Sequence, residues 1–279
     1  YGNGLGGFLS EELGVNASGE VTGGPVQNVT LVQTGDHAIG LITMGPAFEA
    51  WNGESELAPG LEHADIRALF PMYQTPFQVV VMANSGIESV SDLAGHRVSV
   101  GPAGGTPGTY WPRFMDTLGV NATVSYAGAA DAASQLKDGL IDAFAFAAGV
   151  PISAFSQLAA EADVLMFGFN EEELATIREG HPEVSPLTIG AGTYSGHDYD
   201  QTTVAMWNFA IAHADMPESL AYEITKLVME NNDRMMQIHA AAAETLPENA
   251  VNNGFLPFHP GAVRWYEENG IEIPEELRG

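Results

Sequence analysis

Twice along this chain a glycine closes a helical stretch and is followed by an acidic residue, an apolar strand and a second glycine, with proline close behind. The segments are LVQTGDHAIGLITMGP at 31–46 and QLKDGLIDAFAFAAGVP at 135–151, and Gly35 and Gly45 bracket the first strand at the spacing at which Gly139 and Gly149 bracket the second. A glycine takes the left-handed turn that ends a helix, a short apolar run suits a buried strand, and the following proline is expected to begin another helix. The echo therefore predicts two α/β units on one local plan. Two further strands, FQVVVMA (77–83) and HRVSVGP (96–102), are joined by the turn ESVSDLAG, whose Ser89 and Asp92 suit a helix start. Alternation of strand and helix predicts twisted, mostly parallel sheets. In open sheets of that kind ligands sit beyond the carboxyl ends of the strands, so Thr43-Met44-Gly45 and Ala147-Ala148-Gly149 are expected at a shared cleft.

A third segment reaches the same edge. VSVGPAGGTPGTYWPRFMDTLGV (98–120) runs from a strand through a glycine-rich turn into a helix, the shape that cradles phosphate at a helix N-terminus. A P-loop would need Lys-Ser/Thr at its end, and the two lysines, Lys137 and Lys226, lie far along the chain. Gly101, Gly104, Gly105 and Gly108 do not make the Gly-x-Gly-x-x-Gly dinucleotide spacing either. Pro112 suits a first helical turn, and Trp111, Phe114, Met115 and Leu118 fall on one buried stripe. Taken alone, the turn reads as a tight strand-to-helix joint. A good helix is also expected in HADMPESLAYEITKLVMENN (213–232), starting at Pro217-Glu218 with Leu220, Ile224, Leu227 and Val228 on one stripe.

Composition narrows the classes of partner. Acidic residues number 36 against 9 basic ones, a net charge of −27, which excludes nucleic acid and anionic membrane as general partners. Few lysines and many carboxylates fit a proteome adapted to high salt, with an ordinary acidic secreted protein as the alternative. No apolar run reaches the roughly 18 residues of a membrane span. There is no cysteine, so disulfides and thiolate chemistry are excluded, and the eight histidines show no metal-binding spacing, so neither a metal nor a cofactor is expected. No Gly-x-Ser-x-Gly elbow or other nucleophile–base pair is present, and the chain is not expected to be an enzyme. NEEELATIREGHPE (170–183) reads as a solvated helix face, and AGTYSG (191–196) as a turn or a ligand contact. Sequons at Asn16, Asn28 and Asn121 permit glycosylation in an exported protein. YGNGLGGFLSEELGV opens directly in a helical segment, and an upstream strand and export signal are expected before it.

Several segments together resemble the TAXI family of solute receptors of TRAP transporters. VTGGPVQNV resembles that family's Thr-Gly-Gly-Ser-x-x-Asn segment, VVVMANSGIESVSDLAGHRVSVGPAGG its hinge-strand and glycine-loop region, and DAFAFAAGVP its Ala-Gly-Val-Pro strand end. TIGAGTYSGHDYDQTTVAM resembles the family's return strand and FLPFHPGAVRWYEENG its C-terminal helix entry, so the similarity runs collinearly from end to end. Pro25 stands where Ser is usual, Thr43-Met44 replaces a common Gln-Ser pair, and YGNGLGG lacks the family's paired tyrosines. The resemblance implies an α/β fold of the two-lobe type II periplasmic-binding class with a central ligand cleft. It places the lobe crossings near Met82 and Val204, giving one lobe of 1–82 with 204–279 and another of 83–203. It further implies an extracytoplasmic monomer, periplasmic or held at the cell surface by a lipid anchor on its upstream segment, that hands a solute to a TRAP permease subunit. The alternatives are a sensory module, or an enzyme, on the same fold.

The implied solute is a small carboxylate such as glutamate or a dicarboxylate. Of the arginines, Arg97 lies at the wrong end of its strand, Arg178, Arg234, Arg264 and Arg278 read as surface or helical, and only Arg67 and Arg113 fall near the expected cleft. The carboxylate is therefore expected on backbone N–H groups and hydroxyls at a helix N-terminus, with Gly104, Gly105, Thr106 and Tyr110 in contact. The remaining expected contacts are Thr22, Gly23, Asn28, Thr43, Met44, Tyr73, Ala148 and Gly149.

Overall fold

The computed structural model describes residues 1–279. The chain runs through α1 (Gly2–Leu13), α2 (Pro25–Gln33), β1 (Ile39–Thr43), α3 (Met44–Trp51) and the long β2 (Ile66–Met82). It continues with β3 (Arg97–Ser99), α4 (Thr106–Thr117), β4 (Thr123–Ser125), α5 (Ala129–Lys137), β5 (Ala143–Ala147), α6 (Ser153–Glu161), β6 (Val164–Phe167), α7 (Glu171–Gly180) and β7 (Ser185–Ile189). A second long strand, β8 (Gln201–His213), leads to α8 (Glu218–Glu230), α9 (Asn232–Ile238) and α10 (Pro260–Glu268). Two compact units result, one of Tyr1–Gln74 with Trp207–Gly279, the other of Thr75–Met206. The divisions fall inside β2 and β8, the second close to the Val204 crossing that the resemblance implies and the first well before Met82, which ends β2. Turn residues mark where a strand stops, whereas the change of packing partners leaves no local mark. Pro71 and Pro76 flank the first division, each lacking a ladder donor.

In the first unit β1 pairs antiparallel with β8, from Ile39 opposite Ala212 to Thr43 opposite Asn208. Its core gathers Phe8, Val29, Phe70, Phe209, Phe258 and Tyr266. In the second unit β3 lies parallel to β4 and β5, while β2 pairs antiparallel with β5 and β6, and β7 with β8. Antiparallel pairing thus outweighs the mostly parallel sheets expected. Hydrophobic pattern fixes where strands are but not their direction. One face of the second unit's sheet packs Phe77, Trp111 and Phe114, the other Phe144, Phe155 and Tyr194.

The bracketing glycines work as the echo predicts at their first members: Gly35 and Gly139 have φ of 75° and 68° ahead of β1 and β5. Pro46 lies in the first turn of α3, but Pro151 precedes α6 by two positions and does not start it. Helix α4 also departs from expectation, since it begins at Thr106 with Pro107 in its first turn, and Pro112 lies in its interior. Trp111, Phe114 and Met115 are buried as expected, with Leu118 half-buried against them. Asp92 caps in reverse, its carboxylate accepting from the backbone N–H of Glu88 and Ser89 upstream.

Two segments hold a buried structural residue that their pattern does not announce. Glu173 is 3% exposed: in a capping box with Asn170 it also accepts from the backbone N–H and hydroxyl of Ser91, each at 2.7 Å. Tyr194, in the segment read as a turn or ligand contact, is buried; its hydroxyl donates to Gln78 Oε1 at 2.8 Å and accepts from Ile152 N–H at 3.0 Å. Burial pushes this phenol up to about 12. In α8 the stripe is rotated by one residue, burying Ala221, Ile224, Thr225 and Val228 and leaving Leu220 and Leu227 half-exposed.

Candidate functional site

In the second unit the glycine turn is shaped by two close approaches. Gly101 sits at φ 84°, where a Cβ would stand 2.8 Å from Pro107 Cγ and 2.9 Å from the Phe146 ring. At Gly108 a Cβ would overlap the Pro102 carbonyl oxygen. Only glycine lets the strand end, the turn and the first helical turn lie this close. The turn closes through Gly105 N–H to Pro102 O at 3.0 Å, and Gly105 then caps α4 without any side-chain cap. A helix N-terminus concentrates N–H donors and partial positive charge, which suits an anion.

The same contacts bring the turn to the carboxyl end of β5. Trp111 Nε1 of α4 donates to Phe146 O at 3.1 Å, next to Ala148, half-buried, and Gly149, buried. Gly104, Gly105, Thr106, Ala148 and Gly149 therefore belong to one face of this unit. Tyr110 is 1% exposed, packed between Phe77 and Phe114, with the Arg113 guanidinium 5.1 Å from its ring centroid. Arg67 is held by its own strand start, donating to the carbonyls of Ala64 and Ile66 at 2.8 Å. Its guanidinium is thus committed to backbone, in keeping with a carboxylate site expected to need no arginine.

In the first unit a hydrogen-bonded chain joins two of the expected residues through one the sequence did not reveal. Thr43, the N-cap of α3, donates from its hydroxyl to Asn208 Oδ1 at 2.8 Å, and Asn208 Nδ2 donates to Tyr73 O at 2.8 Å. Met44 follows, buried, in the first turn of α3. The Tyr73 ring stacks on His239, with centroids 5.6 Å apart and planes 11° apart, and Tyr1 leans on both. Tyr1 Oη shares a hydrogen bond with Thr245 Oγ1 at 3.0 Å, and Glu244 accepts from the backbone and side chain of Gln74. Burial raises the Tyr1 and Tyr73 phenols above their ordinary range and lowers His239. His239 and Asn208 carry no local spacing signal, because their partners lie far away in sequence.

Thr22, Gly23 and Asn28 form a different feature. Thr22 Oγ1 donates to Asn28 Oδ1 at 2.6 Å, Asn28 Nδ2 to Leu41 O at 2.7 Å, and Gly23 N–H to Gln27 Oε1 at 2.7 Å. Their polar groups tie the start of α2 to β1. No group of three or more His, Asp or Glu side chains is placed to hold a metal ion, and no helix is long and apolar enough to cross a membrane.

A profile of the NMT1-like family matches residues 1–270, nearly the whole chain. The chain belongs to this family. The NMT1-like proteins are the TAXI/TRAP-type solute-binding proteins, so the family resemblance read from the motifs holds, and the chain is an extracytoplasmic solute-binding protein of a typically non-enzymatic family. Solved structures agree on the fold. The GluR0 ligand-binding core in complex with L-glutamate is 14% identical at a TM-score of 0.52, covering 87% of each chain. XAC2383 from Xanthomonas citri bound to chloride ion is 13% identical at 0.53, covering 95% of this chain and 88% of the other. A Gly52Ala mutant of arginine-bound ArgBP from T. maritima is 14% identical at 0.51, covering 82% and 84%. The fold of this NMT1-like protein is the type II periplasmic-binding fold, as expected.

Proposed function

We propose that this NMT1-like protein is the receptor of a TAXI-type TRAP transporter. It captures a small organic acid or amino acid, glutamate-like or dicarboxylic, by closure of its two units and delivers it to a membrane permease. The observation that carries the reading is the α4 N-terminus, where a turn held close by Gly101 and Gly108 leads into a helix start with no side-chain cap. Such a terminus holds a carboxylate by charge-assisted hydrogen bonds without an arginine. A similar fold holding L-glutamate in the GluR0 core supports the choice of solute class. Thr43, Met44 and Tyr73 are the contacts we assign to the first unit; Gly104, Gly105, Thr106, Ala148 and Gly149 those of the second.

The test is a panel of amino acids and mono- and dicarboxylates screened by melting temperature, with titration calorimetry and small-angle scattering on every hit. A carboxylate that raises the melting temperature should also reduce the radius of gyration, as closure requires. If no carboxylate in the panel moves either quantity, the receptor reading for this solute class is wrong.

A further inference from the structure

At the carboxyl end of β5 the chain leaves its ladder and turns before α6. Ala147 is the last residue paired with β2, opposite Phe77, and residues 148–151 make no backbone hydrogen bond. Regular bonding resumes at Ile152, the N-cap of α6, whose carbonyl accepts from Ser156 N–H at 2.9 Å. Open N–H and C=O groups are what a polar solute needs from a backbone, but a turn with no bonds of its own does not hold one shape. Its shape is set from its two ends.

Each end carries one side-chain anchor. Upstream, Trp111 Nε1 donates to Phe146 O at 3.1 Å. Downstream, the Tyr194 hydroxyl accepts from Ile152 N–H at 3.0 Å and donates to Gln78 Oε1 at 2.8 Å, and Gln78 Nε2 donates in turn to Gln201 Oε1 at 2.8 Å. A phenolic hydroxyl can donate and accept, and this one does both. All three side chains are buried, so each bond is made in a low-dielectric setting and a lost partner is costly. Gln78 lies on β2 and Gln201 opens β8, the two strands within which the units divide. The relay therefore fixes the turn to the longest elements of the fold.

Packing alone would need only the Tyr194 ring, whose centroid lies 6.2 Å from that of Phe155. Phenylalanine would supply that contact with no polar group to satisfy. The hydroxyl goes beyond packing, and its backbone partner is the first N–H after Pro151, which has none.

We propose that Tyr194 is a positioning residue for solute binding: by tying Ile152 to Gln78 and Gln201, its hydroxyl holds the 148–151 turn in the shape that receives the solute. The inference rests on the assignment of Ala148 and Gly149 to the solute site. Tyr194 acts through the turn and not by contact. A turn held in one shape is ready to bind, whereas a loosened turn binds only in the fraction of molecules that have the right shape. If that fraction falls to about a tenth, the apparent affinity falls about tenfold.

The test compares the parent with Tyr194→Phe and with a control, Tyr199→Phe. The control deletes a hydroxyl from the same loop, one that donates to Met166 O at 2.9 Å in β6 and makes no bond to the turn. Calorimetry uses the tightest-binding carboxylate of the panel, L-glutamate and succinate included, well below each variant's melting temperature. Hydrogen–deuterium exchange is read at Ile152 without solute. Tyr194→Phe should bind about tenfold more weakly and exchange the Ile152 amide about tenfold faster or more, while Tyr199→Phe matches the parent in both. Equal affinity of Tyr194→Phe and parent overturns the proposal even if the variant melts lower, because a merely structural hydroxyl moves the melting temperature alone. An equal loss in both variants assigns the effect to general loosening of the unit and also overturns it. If Tyr194→Phe does not fold, Gln78→Met, which removes the hydroxyl's acceptor and leaves the Ile152 bond, should weaken binding severalfold; an unchanged affinity there is equally decisive against it. A parent that binds no carboxylate of the panel overturns the solute-class reading and this inference with it, whereas a parent that binds while Tyr194→Phe binds equally well overturns this inference alone.

Discussion

Replacing two neighbouring glycines separates the turn as an anion site from the turn as a joint. At Gly108 a Cβ would overlap the Pro102 carbonyl oxygen, standing 2.8 Å from its carbon and 3.1 Å from Ala103 Cα. Carbon atoms make ordinary contact at about 3.5 Å, so the turn must retreat by roughly 0.7 Å or more against its own Gly105 to Pro102 hydrogen bond. Overpacking of that kind costs about 1–3 kcal/mol, offset in part by the roughly 1 kcal/mol that alanine gains over glycine in a helix. Because the overlap is with backbone and not with a movable side chain, the upper end of the cost applies, and Gly108→Ala should destabilise the protein by a net of about 2 kcal/mol. At Gly105 the backbone is extended, with φ −94° and ψ 156°, and a Cβ would stand 3.3 Å from Pro102 O. Gly105→Val is compatible with that backbone and should cost the fold under about 1 kcal/mol. Its methyl groups would nevertheless stand over the first N–H groups of α4, and the loss of charge-assisted hydrogen bonds there should weaken solute binding by at least about 2 kcal/mol, or some thirtyfold. Urea unfolding followed by tryptophan fluorescence measures the first quantity, and calorimetry with the best carboxylate the second. A Gly105→Val protein that binds like the parent would reduce the turn to a joint. A Gly108→Ala protein as stable as the parent would refute the steric reasoning.

Two further outcomes concern charge. Arg97 hydrogen-bonds Asp142 through its side chain at 2.6 Å and also through its backbone N–H; with the guanidinium's charge added, this holds the Asp142 carboxyl at about 2, below the ordinary 3.8. The stability it adds is thus present above its unfolded value and lost as pH falls through the folded one. The gap between parent and Asp142→Asn should shrink between about pH 4 and pH 2, and a gap constant across urea titrations in that range would count against the pairing. The net charge of −27 implies self-repulsion that salt screens, so the melting temperature should climb from low to molar sodium chloride. A flat response would remove the argument for adaptation to high salt.

Local chemistry in the sequence settled much of the fold. The paired glycines ahead of β1 and β5 take the left-handed turns that their spacing implies, and the α4 stripe of Trp111, Phe114 and Met115 is buried as its period requires. Caps, turns and periodicities act over a few residues, so they are written where they act. The candidate site was legible to the same extent: the glycine turn and the end of β5 could be read as neighbours because both close strands of one sheet edge. What tertiary structure alone decided are the pairings between distant residues. Asn208 joins Thr43 to Tyr73, His239 stacks on Tyr73, and Ser91 draws Glu173 out of solvent although its segment reads as a charged surface helix. Strand direction and the division of β2 and β8 between two units belong to the same class. An alternating or apolar run has the same pattern in either direction, and which surface it meets is set only when the remote parts of the chain pack against it.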